Sequence, residues 1–178
     1  MALTQITGDG LATSGLPTGT ILQVQYLQID TTVASISVSS NTDTVVTQLT
    51  VNITPKSTSS IIRLDTHIFH EWANAAAPTE AAWFFFRDTT KLAASAASNR
   101  QSGISMSRLS FHDDAGSTPE IATYSYFDTP STTSQITYKV GVRNHYATNF
   151  SLNRTINDTD NTQAERGISF ISATEIGG

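Results

Sequence analysis

The sequence predicts an all-β fold of the β-sandwich, jelly-roll-like kind, and three observations predict it. Apolar residues recur with a period of two in several separate stretches. Ser and Thr carry the polarity in place of Lys and Glu, since charged residues make up only 14% of the 178 residues against about 25% in an ordinary globular domain. Turn clusters punctuate the chain, and no strand–helix alternation separates them. Residues with poor helix propensity and good strand and turn propensity therefore dominate.

The elements follow in chain order. Residues 1–19 hold four glycines, a proline and several hydroxyl residues, and read as an extended tail with Thr18-Gly19 as the turn into the domain of residues 20–178. From Thr20 to Ile29, Leu22, Val24 and Tyr26 share one face, and Gln23 and Gln25 the other. Val45 to Ile53 alternates in the same way and stops before Pro55. Ile61 to Trp72 gives the clearest alternation. Ile62, Leu64, Thr66, Ile68, His70 and Trp72 fall on one face, and Arg63, Asp65, His67, Phe69 and Glu71 on the other. Trp83 to Arg87 is apolar on both faces, which predicts a central strand or a strand facing a neighbouring subunit. Ile121 to Phe127 carries three aromatics. Gln135 to Arg143 points Ile136, Tyr138, Val140 and Val142 inward, and Gly167 to Ile176 closes the chain. Leu92 to Ala97 fits either a short helical turn or a loop of small residues.

The function classes narrow by elimination. A net charge of −5 with scattered Lys and Arg disfavours a phosphate backbone as partner. No cysteine is present, so thiolate zinc sites, disulfides and Cys nucleophiles are excluded. No apolar run reaches the ~18 residues that a membrane-spanning helix needs. Met1 to Gln5 lacks a signal peptide's basic and apolar regions, so the chain reads as made in the cytoplasm.

The chemistry-bearing residues give no catalytic constellation. His67 and His70 lie on opposite faces of one strand and cannot share a metal from it. Arg63, Asp65, His67 and Glu71 form a polar column suited to solvent, a subunit interface or an ion. Asp65 and Glu71 are separated by about 20 Å along a strand, too far to flank a glycosidic bond. Asp158 and Asp160, in Asn157 to Thr162, form the most oxygen-rich loop. A calcium loop of the EF-hand kind needs a Gly where Gln163 stands, and flanking helices, so no metal is assigned. No Gly-x-Ser-x-Gly elbow and no phosphate loop occur. Neither a cofactor nor an enzyme activity is expected. The aromatics Trp72, Tyr124, Tyr126 and Tyr146 are the candidate ligand contacts, since such rings stack on sugars and anchor interfaces.

Several segments together resemble the appendage proteins of tailed-phage virions, especially the head domains of tail fibres from marine or cyanobacterial phages. They are Ile6-Thr7-Gly8-Asp9-Gly10, Gly15-Leu16-Pro17-Thr18-Gly19-Thr20-Ile21-Leu22-Gln23-Val24, Val51-Asn52-Ile53-Thr54-Pro55 with Ser59-Ser60-Ile61-Ile62, Ile136-Thr137-Tyr138-Lys139-Val140, and the closing Gly167 to Ile176. The resemblance implies a jelly roll similar to the C1q and tumour-necrosis-factor class, assembled as a homotrimer within a virion. It implies attachment to another virion protein through the tail, with Leu3, Ile6, Leu11 and Leu16 as its apolar contacts, and display of the β domain to host polysaccharide. Trp83, Phe84, Phe85 and Phe86 are the expected trimer interface. The chain departs from long tail fibres in lacking a shaft, which leaves a short fibre or other small appendage. A capsid decoration protein and a lectin-like carbohydrate-binding module are the alternatives.

Overall fold

Strand β4 organises the larger of two sheets. The computed structural model describes residues 16–73, 81–96, 98–106 and 116–178, and every regular element among them is a β-strand. In chain order these are β1 (Ile21–Ile29), β2 (Val33–Val38), β3 (Thr44–Ile53), β4 (Ile61–Trp72), β5 (Ala81–Arg87), β6 (Thr90–Leu92), β7 (Ser105–Met106), β8 (Glu120–Asp128), β9 (Ile136–Asn144), β10 (Thr148–Leu152) and β11 (Ser169–Ile176).

The larger sheet runs β1-β11-β4-β10-β2, with β8 on the opposite edge of β4. The long β4 makes this possible. Its Ile61 to His67 half pairs with β11, and its last residues, His70 to Trp72, pair with β10. The smaller sheet runs β3-β9-β5-β6, with β7 also on β5. All strand pairings within the two sheets are antiparallel.

The core lies between the sheets and follows the period of two. Ile62, Leu64, Ile68 and Trp72 from β4 meet Ile136, Tyr138, Val140 and Val142 from β9, together with Trp83 and Phe85 from β5. Each fully buried Ile, Leu or Phe contributes ~1.5–3 kcal/mol relative to an exposed one.

Strand β5 explains its own composition. Trp83 and Phe85 point into the inter-sheet core. Phe84 and Phe86 point to the other side and stack on each other at 5.3 Å. They lie over Gly141 of β9, where a Cβ would come within 2.4 Å of the Phe84 ring. The Lys91 ammonium sits 3.9 Å from the centre of that ring. Trp83, Phe84, Phe85 and Phe86 are thus all buried inside one chain. The expectation that this run forms a trimer interface is corrected: its second apolar face is covered by the protein's own glycine strand and Lys91.

Two buried carboxylates close the ends of the sandwich. Glu175 of β11 accepts hydrogen bonds from Gln23 Nε2, the Lys56 backbone N–H and Ser60 Oγ, each at 2.6 Å. It therefore ties β1 and the β3–β4 turn to the last strand. Asp128 of β8 accepts from Arg87 at 2.9 and 3.1 Å and from the Tyr138 hydroxyl at 2.6 Å, linking one sheet to the other. Burial and the Asp128 charge push the Tyr138 hydroxyl far above its ordinary pKa. The start of the domain is fastened by the Pro17–Thr20 turn, with Gly19 at φ 89°, and by Gly19 N–H donating to Gly177 at 2.7 Å.

Candidate functional site

Three regions carry features that packing alone does not require. The first is the solvent side of the larger sheet, whose side chains are placed by strand register. One row across it reads Phe127, Arg63, Thr174 and Val24, the next Ser125, Asp65, Ser172 and Tyr26, and a third Thr123, His67, Phe170 and Gln28. Tyr26 is 74% exposed, and Phe127 and Ile121 are each 60% exposed. Val24, Ile21 and Ile168 are exposed on the same sheet or at its margin. Arg63 pairs with Asp65 at 3.0 Å, Ser125 donates to Asp65 at 2.6 Å, and His67 stacks on Phe170 at 5.9 Å. The face therefore has a satisfied polar centre and an unsatisfied apolar surround, which is how recognition surfaces differ from plain solvated ones.

The second region is buried beneath the end of β4. The alternation sends His70 inward, where Trp83, Trp72 and Phe150 surround it at ring distances of 4.8, 6.1 and 6.0 Å. Its Nδ1 faces the Ile68 carbonyl at 3.2 Å. A carbonyl only accepts, so the neutral ring places its proton on Nδ1 and leaves Nε2 as a lone pair. Burial holds the His70 pKa down to about 4, against a smaller raising effect of that carbonyl. Nε2 lies 3.7 Å from Glu120 Oε2 and has no hydrogen-bond partner among the described residues. Burial, and secondarily the charge of Glu71, raises the Glu120 pKa to about 7. Between those two pKa values the proton resides on Glu120, so the 3.7 Å approach is a neutral contact and not an ion pair. Glu71 accepts the backbone N–H of Thr118 at 2.9 Å and of Ile156 at 2.6 Å.

The third region is an open trough at one end of the smaller sheet. The β2–β3 turn, the end of β9 and residues 98–102 converge there around two adjoining depressions of about 500 and 410 Å³. Asp43 binds Lys91 at 3.0 Å and Arg143 at 3.3 Å, and Arg100 lines both depressions.

The sequence-predicted residues distribute unevenly over these regions. Of the four candidate ligand aromatics, Trp72 and Tyr124 are buried. Tyr124 donates its hydroxyl to the Phe84 carbonyl at 2.9 Å, and Tyr126 is packed against the core. Only Tyr146, at 49% exposed, presents its ring to solvent. These are corrections for Trp72, Tyr124 and Tyr126: the inward parity of β4 and β8 claims them. In the polar column, Arg63, Asp65 and His67 face outward as expected. Glu71 does not reach solvent, because the segments carrying Thr118 and Ile156 close over it. Asp158 is occupied by Arg154 at 2.9 Å and by Arg166, so guanidinium groups neutralise it, while Asp160 lies exposed beside it. Leu16 is half-buried, and Leu3, Ile6 and Leu11 lie outside the described residues. Tyr26 is a further correction: the period of two grouped it with Leu22 and Val24 as the apolar face of its strand, but Val24 and Tyr26 face solvent and Leu27 and Ile29 pack against the core. Ile121 and Phe127 lie on the face of β8 opposite buried Tyr124, which is the signal that places them outside.

No protein-family model matches the chain, and no curated protein is similar to it in sequence.

Proposed function

We propose that the chain is a non-catalytic structural module of a tailed-phage virion, a compact appendage with a jelly-roll head. It self-associates as a homotrimer, is tethered by residues 1–19 to another virion protein, and presents loops to the host surface. The observation that carries the reading is the solvent face of the larger sheet, where Tyr26, Val24, Phe127 and Ile121 flank the Arg63, Asp65 and His67 column. In a three-fold assembly this apolar surround packs against a different patch of the next copy, and each large side chain removed from water contributes ~1.5–3 kcal/mol. The strand order, with β1-β11-β4-β8 on one side and β3-β9-β5-β6 on the other, is the arrangement a jelly roll needs.

Native mass spectrometry at micromolar concentration tests the assembly. The wild type is expected as a trimer, and the Tyr26→Ser, Phe127→Ser double variant as a folded monomer. A monomeric wild type overturns this use of the face. The virion placement is tested by the chain's copy number in purified particles. A few dozen copies or fewer fit an appendage, hundreds indicate a capsid decoration protein, and absence from the particle overturns the reading.

A further inference from the structure

The trough at the end of the smaller sheet concentrates positive charge in an acidic protein. The chain has a net charge of −5 and ten Lys and Arg residues. Three of them, Lys91, Arg100 and Arg143, line this one depression, and Asp43 is the only carboxylate among the described residues that line it.

Two of the cations, Lys91 and Arg143, are held in place. Asp43 bridges Lys91 and Arg143 through a single oxygen, Oδ1. The Phe84 ring under the Lys91 ammonium fixes it from a second direction. Asp43 itself is set by the β2–β3 turn, which is fastened across the sandwich. Asn41 N–H donates to the Asn144 carbonyl at 2.8 Å, and Ser40 Oγ donates to the His145 carbonyl at 2.6 Å.

The walls are formed by two turns, with Asn41 at φ 53° on one side and Ser98 at φ 58° on the other. The wall side chains are otherwise amides and hydroxyls, which suit the paired donors and acceptors of sugar hydroxyls. At the margin, His145 lines the second depression and packs edge-on against the exposed Tyr146 ring at 4.7 Å. That ring gives a flat apolar platform of the kind on which pyranose faces stack.

Anchored cations, an amide-rich wall and an adjacent aromatic platform point to one ligand class. We propose that the trough binds an acidic glycan, its carboxylate or phosphate lying against Lys91, Arg100 and Arg143 and a neighbouring sugar ring on Tyr146. This deepens the host-surface reading above and rests on it for its biological setting.

The test is calorimetric titration of the full chain, its oligomeric state recorded in the same sample. The probes are tetragalacturonate, mannose 6-phosphate, inorganic phosphate and neutral cellotetraose. Tetragalacturonate or mannose 6-phosphate is expected to bind, at least tenfold more tightly than cellotetraose, and to weaken several-fold between 50 and 500 mM salt. Preference between those two separates a carboxylate source from a phosphate source. Binding of inorganic phosphate as tight as that of either sugar overturns the glycan part. The Arg100→Gln, Arg143→Gln double variant is expected to lose tenfold or more. Lys56→Gln, which removes an exposed cation just beyond the far end of β3, is expected to change binding less than twofold.

Should the double variant fail to fold, backbone amide shifts of the wild type decide: movement at Asn41, Arg143 and His145 supports the trough. A trimer that ignores all acidic probes, or one whose shifts map elsewhere, overturns the trough while leaving the assembly reading standing. A monomer that binds them counts against the trimer alone.

Discussion

Replacing Glu71 by alanine is expected to destabilise the domain by ~3–6 kcal/mol. Its two carboxylate oxygens accept the Thr118 and Ile156 backbone N–H groups at 2.9 and 2.6 Å in a site closed to solvent. Each lost bond to the charged carboxylate costs ~1.5–3 kcal/mol. The two donors belong to segments far apart in the chain, so the loss also frees the segment leading into β8 from the one following β10. Denaturant unfolding reads the stability, and amide hydrogen exchange at Thr118 and Ile156 reads the local release. Glu71→Gln keeps one acceptor and turns an N–H₂ toward the other donor, and is expected to lose about half as much. A loss below ~1 kcal/mol for Glu71→Ala, with both amides still protected, would sink the assignment.

Glu71 also shows where sequence reasoning stops. The period of two placed Ile62 to Trp72 on the core face correctly, because neighbouring strands cover that whole face of β4. It placed Arg63, Asp65, His67 and Glu71 together on the other face, which is geometrically right. Parity carries no information about which loop folds over a strand end, and that alone separates exposed Arg63 from buried Glu71. The same gap left β5 open between two readings. Apolarity on both faces fitted a central strand, which β5 is, between β9 and β6, or a subunit contact; the second cover came from within, through Gly141 and Lys91.

Length explains other differences. Strand β2 escaped notice between two turn clusters, although Ile36 and Val38 alternate with Ser35 and Ser37. Strand β10 is short and polar at its start, yet Phe150 and Leu152 are buried. Leu92 to Ala97 offered a helical turn or a loop. Leu92 ends β6, and the described residues after it form bends without a helix. The trough was illegible because Asp43, Lys91, Arg100 and Arg143 are dispersed over 100 residues and meet only through topology.

The joint contribution of His70 and Glu120 to wild-type stability is expected to vary by less than ~1 kcal/mol between pH 4 and 7, because the two groups are shifted in opposite directions and their opposing slopes cancel between pH 4.5 and 6.5. His70 has a folded pKa of about 4, below the ordinary 6.5. Its contribution is complete above pH 6.5 and is lost as pH falls from 6.5 toward 4, because the unfolded chain's imidazole takes up a proton that the ring buried among Trp72, Trp83 and Phe150 does not. Glu120 has a folded pKa of about 7, above the ordinary 4.5. Its contribution is complete below pH 4.5 and is lost as pH rises from 4.5 to 7, because the unfolded chain's carboxyl gives up a proton that the folded one keeps. Each limb amounts to ~3 kcal/mol, since one pKa unit corresponds to about 1.4 kcal/mol. Glu120→Gln separates them. It removes the alkaline limb, so the variant is expected to exceed the wild type by ~3 kcal/mol at pH 8 and to match it at pH 4.5. The acid limb between pH 6.5 and 4 is expected to emerge in that variant, because His70 alone produces it and Glu120 no longer offsets it. Urea titrations from pH 3.5 to 8.5 on both proteins measure the two limbs. A wild type and a Glu120→Gln variant with parallel profiles between pH 4.5 and 7 would show that Glu120 ionises as an ordinary surface carboxylate.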